Sequence, residues 1–209
     1  MSKLKMNTRD KILDQSLKMF NERGIEYVGL RELAGILDIR VGNISYYFPT
    51  KDDLVYELSQ ELSKSNAILL RERESLTMIE FLEILHKVLL NHVKFRCLLL
   101  SVVHLLQQNK HLAAAYKKTQ SVRNSTIHSN LEVLKEQGYL KIEYDEQMEF
   151  LVSNLSLVSR FWISEAAISF RQMSEHEQIH YYLKHIIQLF SPYASAKGKK
   201  DLQLFLQKL

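Results

Sequence analysis

The run Val41-Gly42-Asn43-Ile44-Ser45-Tyr46-Tyr47-Phe48-Pro49-Thr50-Lys51 holds the densest set of recognition-capable side chains in this sequence. At helical spacing Ile44 and Phe48 share one inward face. Asn43, Ser45, Tyr46 and Tyr47 are left on the other faces, all able to hydrogen-bond. A short rod tipped in this way suits the groove of a nucleic acid. Asn43 can pair with adenine, and Val41 can touch a thymine methyl. Gly42 lets a duplex approach the backbone closely. Thr50 and Lys51 bring donors to the start of the next helix, where the dipole favours phosphate. Arg40, just before the rod, is long enough to reach a phosphate itself.

A second constellation points to different chemistry. His176-Glu177-Gln178-Ile179-His180 fits the H-E-x-x-H pattern, in which two imidazoles grip zinc and the glutamate acts as base. A catalytic site also needs a third ligand and an open coordination position. His176 and His180 flank the apolar stripe Ile179, Leu183, Ile186, Ile187 and Phe190, so ordinary interface histidines are the stronger reading. A helical zinc metalloprotein or peptidase using His176, Glu177 and His180 is the competing one. A third group, Cys97, His104, Tyr116, Phe161 and Trp162, either packs a core or lines a small-molecule cavity between helices. Cys97 has only Arg96 beside it to lower its pKa, which makes a poor redox sensor. No cofactor, no metal and no enzymatic activity is expected.

The elements that must hold these groups can be read from the punctuation of the chain. Residues 30–37 make a short helix with Leu33 and Ala34 inward, closed by Ile36 and Leu37. Asp38 suits the turn that follows. Pro49 ends the second helix at Phe48. Two short helices joined by a tight turn form a helix-turn-helix, the hallmark of a DNA-binding regulator. Asn7 caps a first helix over 8–23, which Gly24 ends. Four of the six glycines fall within the first 42 residues, and no proline stands between Pro49 and Pro192. A turn-rich module at 1–52 is therefore followed by a long-helix body at 53–209, all-α throughout. Helices are expected near 76–92, 95–107, 111–137, 145–172 and 174–190. A last segment, 192–209, begins flexible and Lys-rich and ends with Leu202, Phe205, Leu206 and Leu209 at helical spacing.

Composition narrows the setting more than the function. The chain has 209 residues, 46% hydrophobic and 25% charged, ordinary for a folded globular protein. Its net charge of +4 permits a polyanionic partner without demanding one. The single Cys97 favours a reducing compartment, and the N-terminus lacks a signal-peptide core. No apolar run approaches a membrane span. A cytoplasmic protein with no membrane partner is expected.

The stretch 8–54 resembles the N-terminal domain of TetR-type transcriptional regulators. The matching pieces are Thr8-Arg9-Asp10-Lys11-Ile12-Leu13, Phe20-x-x-Arg23-Gly24, Arg31-Glu32-Leu33-Ala34, and Gly42 through Lys51 with Leu54. The resemblance implies a three-helix helix-turn-helix domain followed by a larger helical ligand-binding and dimerisation domain. It implies a homodimer placing two third helices in successive major grooves of a palindromic operator on double-stranded DNA. A small-molecule effector in the C-terminal body would switch it, and repression is the expected outcome. Tyr46 and Tyr47 occupy the aromatic pair that touches phosphates and bases. Lys51 matches a phosphate contact, Arg31 a backbone or base-edge contact, and Asn43 and Ser45 groove-reading positions. The sequence departs from the family at Gly29 and Arg40, which stand where Ser or Thr often caps a helix. The helices over 145–172 and 174–190 are the expected dimer interface.

Overall fold

The computed structural model of the chain describes residues 7–209. The described residues form α1 (Thr8–Arg23), α2 (Leu30–Ile36), α3 (Val41–Tyr47), α4 (Lys51–Leu70), α5 (Met78–Lys94) and α6 (Arg96–Leu100). Then follow α7 (Val102–Gln108), α8 (Lys110–Glu136), α9 (Asp145–Ser169), α10 (Glu175–Phe190), a 3-10 turn (Ser191–Tyr193) and α11 (Ala196–Leu206). The fold is all-α, with a three-helix helix-turn-helix bundle ahead of a larger helical body. The chain divides into two compact units. One holds residues 7–64 with Phe95–Ala114, the other Ser65–Lys94 with Ala115–Leu209.

The first unit is built on local signals. The Asp10 N–H donates to Asn7 Oδ1 at 2.9 Å, which starts α1. Ile12, Leu13, Leu17, Met19 and Phe20 bury one face of that helix, and buried Ser16 returns its hydroxyl to the Ile12 carbonyl at 2.6 Å. Gly24, at φ 91°, ends it in a conformation that a Cβ would resist. Helix α2 closes on a Schellman pair: Asp38 N–H to Gly35 O at 3.3 Å and Ile39 N–H to Ala34 O at 3.0 Å. Asp38 takes the left-handed position, φ 53°. That reversal aims α3 away from α2. Phe48 is extended ahead of Pro49, and α4 begins at a reciprocal Thr50–Asp53 cap.

Four later residues, Phe95, Cys97, Leu98 and Leu112, complete the same core. The Cys97 N–H donates to Asn21 Oδ1 at 3.0 Å. The single helix expected over 95–107 is broken here into α6 and α7. Ser101 leaves helical geometry (φ −100°, ψ 8°) and gives its hydroxyl to Glu26 at 3.2 Å. Ile36 closes α2 as expected. It points outward, 53% exposed, because a seven-residue helix presents only Leu33 and Ala34 to the core.

The second unit packs α5, α9, α10 and α11 around large apolar side chains, with Phe81 edge-on to Phe190 at 5.9 Å. The tail, expected to begin flexible, is instead fastened. Ser195 caps α11, its Oγ accepting from the Gly198 N–H at 3.1 Å and donating to Gly138 O at 2.7 Å. Leu140 and Ala194 form an isolated antiparallel bridge. Lys197 lies over the Tyr139 ring at 3.8 Å. Gly198 permits this seam, since a Cβ there would come within 2.2 Å of Tyr139 O.

Gly198→Ala therefore sets two effects against each other. Helix propensity favours alanine by about 1 kcal/mol, whereas forcing a methyl against backbone costs about 1–3 kcal/mol. We expect the clash to win, lowering the urea midpoint with an unchanged denaturant slope. A variant as stable as the parent would mean that the seam is looser than described.

Candidate functional site

The outer face of α3 is built by what its inner face buries. Ile44 is 0% and Phe48 1% exposed, which fixes the rotation of the helix. Arg9 holds the same corner, paired with Glu57 and lying over the Phe48 ring at 5.3 Å. Tyr46 is consequently 81% exposed and stands edge-on to Tyr47, ring centres 5.0 Å apart. Arg40, Val41, Gly42 and Asn43 are exposed around it, and Ser45 is half-buried. A Cβ on Gly42 would meet nothing within the protein. Arg31 is exposed on α2. Gly29 and Arg40 are N-caps without a side-chain capping bond.

The structure gathers most of these candidates and adds one. A surface notch of about 190 Å³ is lined by Thr8, Asn43, Tyr46 and Tyr47. Thr8 was not singled out in the sequence, although it opens the Thr8-Arg9-Asp10 run. Its hydroxyl joins the set only when α1 starts beside α3. Two other candidates are partly committed. The Thr50 N–H and hydroxyl both donate to Asp53 Oδ2, at 2.9 and 2.7 Å. Lys51 Nζ donates to the Ile25 and Glu26 carbonyls at 2.9 and 3.2 Å.

The five cavity candidates divide between the units. Cys97 and His104 belong to the first. Burial pushes the Cys97 thiol up to about 12, so it stays protonated. His104 is exposed and lines a cleft of about 110 Å³ with Lys51 and Asn109. Tyr116, Phe161 and Trp162 belong to the second. Tyr116 accepts a hydrogen bond from Arg160 Nε at 2.9 Å, and Arg160 also lies over the Phe161 ring. Trp162 donates its indole N–H to His92 Nδ1 at 3.0 Å. An indole can only donate, so the proton of the neutral imidazole is on Nε2. That nitrogen is 3.2 Å from the Asn66 amide, which Asn91 meets in turn at 3.1 Å.

The second unit also contains a small cavity, about 20 Å³, which none of the five lines. Leu70, Leu85, Leu89, Ile127, Leu155 and Ile186 supply apolar walls from α4, α5, α8, α9 and α10, and Arg123 and Ser159 are its polar members. Arg123 carries no obvious sequence signal, being one basic residue in the polar stretch 117–125.

The histidine pair has a simpler explanation than catalysis. Glu177 Oε2 accepts from the Ser174 N–H and hydroxyl at 2.7 and 2.8 Å, a capping box at the start of α10. Those bonds hold its carboxyl below the usual range. The His176 and His180 rings lie 3.9 Å apart, with His86 6.4 Å from His180. Burial first, then the charge of His176, lowers the His180 pKa. Among the described residues no group of three His, Cys, Asp or Glu could hold a metal ion. No described helix is long and apolar enough to cross a membrane.

His92 gives this unit a pH dependence. Burial, then the charge of Arg123, lowers its pKa from 6.5 to about 3. The unfolded chain therefore takes up a proton below about pH 6.5 that the folded chain refuses. Stability from this group is complete above that pH and declines towards pH 3, by about 1.4 kcal/mol per unit within the window. Melts of the parent and His92→Gln between pH 4 and 7.5 should show the shallower dependence in the variant.

Comparisons with known proteins agree with this geometry. A family model described as "Bacterial regulatory proteins, tetR family" matches residues 12–58, and another, "Bacterial transcriptional repressor", matches 60–202. A probable HTH-type transcriptional regulator of Bacillus subtilis, YttP, is 38% identical over 58 residues, 28% of each chain. The alignment thus spans well under two thirds of that relative's length. A crystal structure of a TetR-family transcriptional regulator from Marinobacter aquaeolei superimposes with TM-score 0.86 at 24% identity, covering 97% of this chain and 98% of that one. A protein from Saccharomonospora viridis, solved in complex with choline, gives TM-score 0.68 at 17% identity over 90% of this chain and 97% of its own. These structural likenesses are of fold alone.

Proposed function

Because the chain belongs to the TetR family of bacterial transcriptional regulators, we propose that it is a repressor that binds a palindromic operator as a homodimer and releases it when a small molecule binds. In this reading residues 1–52 carry the DNA-binding work, and residues 53–209 dimerise and bind the effector. The observation that carries the proposal is the exposed Tyr46–Tyr47 edge, held outward by the burial of Ile44 and Phe48. Two tyrosines facing solvent cost the chain apolar burial, and a duplex backbone would recover it.

Each candidate then has a place. Tyr46 and Asn43 face base edges, and Tyr47 with Thr8 holds the sugar-phosphate backbone in the notch they share. Val41 and Ser45 contact the groove beside them, and Arg31 and Arg40 reach flanking phosphates. Gly42 stands inside a helix at a cost of about 1 kcal/mol against alanine, with open space beyond it. Close approach of DNA accounts for that choice. Thr50 holds the start of α4 through Asp53 and aims its first turn at a phosphate. Lys51 has three N–H donors; two are given to Ile25 and Glu26, leaving one for phosphate.

Dimerisation is supported by one face of α9. Phe150, Leu157 and Ile168 are 48%, 55% and 74% exposed, and their spacing of seven and eleven residues brings them into one stripe. Together with α10 from each copy this makes a four-helix interface, of well over ~1,000 Å². The recognition helices of such a dimer must stand about 34–36 Å apart to read successive grooves. The effector belongs to the second unit, near Tyr116, Phe161 and Trp162. Cys97 and His104, in the other unit, are left out of that site. The choline held by the Saccharomonospora protein supports a small organic ligand for this fold. A coupling of ~1–3 kcal/mol would weaken operator binding some 5- to 150-fold.

Binding to selected genomic fragments tests this reading. Tyr46→Ala should weaken specific binding more than non-specific binding, by about 1–3 kcal/mol. Lys51→Met should weaken both alike and lower the salt slope by about one. A folded chain that stays monomeric at micromolar concentration, or ignores every duplex at low salt, would overturn the proposal.

A further inference from the structure

The cavity of the second unit carries a charge that nothing around it neutralises. Its walls are apolar except for Ser159 and Arg123. The electrostatic neighbours of Arg123 are Tyr116, with which it hydrogen-bonds, and the second guanidinium of Arg160, and none is a carboxylate. Arg160 is itself hydrogen-bonded to Tyr116 and lies over the Tyr116 and Phe161 rings. Among the described residues, neither arginine has an ion-pair partner. Both guanidinium groups are half-buried, and a cation that gives up part of its hydration is normally compensated by a counter-ion. Burial also lowers the Arg123 pKa, as its largest influence. A charge kept on the wall of an otherwise apolar cavity, with no carboxylate to answer it, suits an anionic partner.

We infer that the effector is an organic anion, its apolar body lodged among the cavity walls and its anionic head received by Arg123, with Ser159 and Tyr116 beside it. This rests on the ligand-responsive reading above and names the chemical class of that ligand. Arginine suits the head, because its planar fork matches a carboxylate bidentately. An apolar pocket with a few placed polar groups suits the body. At about 20 Å³ the cavity has room for roughly one water. The anion therefore enters only by widening it. Leu70, the last residue of α4, is part of the wall that must give. Occupancy thus moves the end of the helix whose first turn follows the recognition helix.

The test uses the full chain, with decanoate and naphthoate as probes, each against its uncharged alcohol, decanol or naphthol. Calorimetry and thermal shift read binding, and fluorescence anisotropy reads affinity for a selected genomic fragment. We expect at least one carboxylate to bind and raise the melting temperature while its alcohol does neither. Arg123→Met should weaken that binding about tenfold or more. Relieved of an unpaired charge, it should melt at or above the parent when no ligand is present. Arg123→Lys, which keeps the charge without the fork, should restore binding in part. Equal binding by the alcohols, no binding by either carboxylate, or unchanged binding by Arg123→Met would overturn the inference. A carboxylate held through Arg123 that leaves DNA affinity unchanged would keep the anion site and remove the ligand-responsive reading. Regulated DNA binding without any carboxylate affinity would do the opposite.

Discussion

A seven-residue helix has no stability of its own, because nucleating its first turn costs more than so few bonds return. Everything proposed for α3 therefore depends on the burial of Ile44 and Phe48. Those two side chains replace the missing helical cooperativity with tertiary packing, at about 1.5–3 kcal/mol each. They also fix the helix in rotation, so that Tyr46 has only solvent to face. Arg9 reinforces the corner from below, paired to Glu57 on α4 while its guanidinium covers the Phe48 ring. The exposed edge is thus specified by its buried counterpart, and a change in one is felt by the other.

Both units use polar groups at helix boundaries, and the second buries more of them. The first uses them at boundaries: Asn7, Thr50 and Asp53 cap helices, and Lys51 gathers two carbonyls of the loop after α1. The second caps α10 and α11 with Ser174 and Ser195 and also sinks polar groups into its core. Asn66, His92 and Trp162 lie together in the interior, where the Trp162 indole donates to His92 Nδ1 and burial keeps His92 neutral. Arg123, half-buried nearby, is the exception, a charge whose neighbours Tyr116, Arg160 and His92 include no carboxylate. A satisfied network rigidifies its surroundings, whereas an unsatisfied one leaves free energy to be gained.

Local chemistry was legible in the sequence and tertiary chemistry was not. Gly24, Asp38 and Pro49 announce the turns of the first unit because backbone sterics act over a few residues, and the helix-turn-helix follows from them. The resemblance carried by Thr8–Lys51 pieces agreed with that reading, and the family matches bear it out. The break at Ser101 has no such announcement; neither glycine nor proline marks it, and the serine is drawn out by Glu26, seventy-five residues away. The start of α11 looked loose because Lys197, Lys199 and Lys200 read as solvated. Only the seam with Tyr139 shows why Gly198 stands among them. Thr8 and Arg123 became candidates through their neighbours, α3 for the former and a cavity for the latter.

The first unit is not a contiguous stretch of chain, and this limits how such regulators can exchange parts. Phe95, Cys97, Leu98 and Leu112 are members of the core that also holds Phe20 and Leu58. A chimera that borrowed only residues before position 65 would carry a half-lined interior into its new host and depend on foreign side chains to close it. Transplanting the reading head intact means moving two segments at once, the second of them Phe95–Ala114. Recombination at a single crossover would not carry both segments.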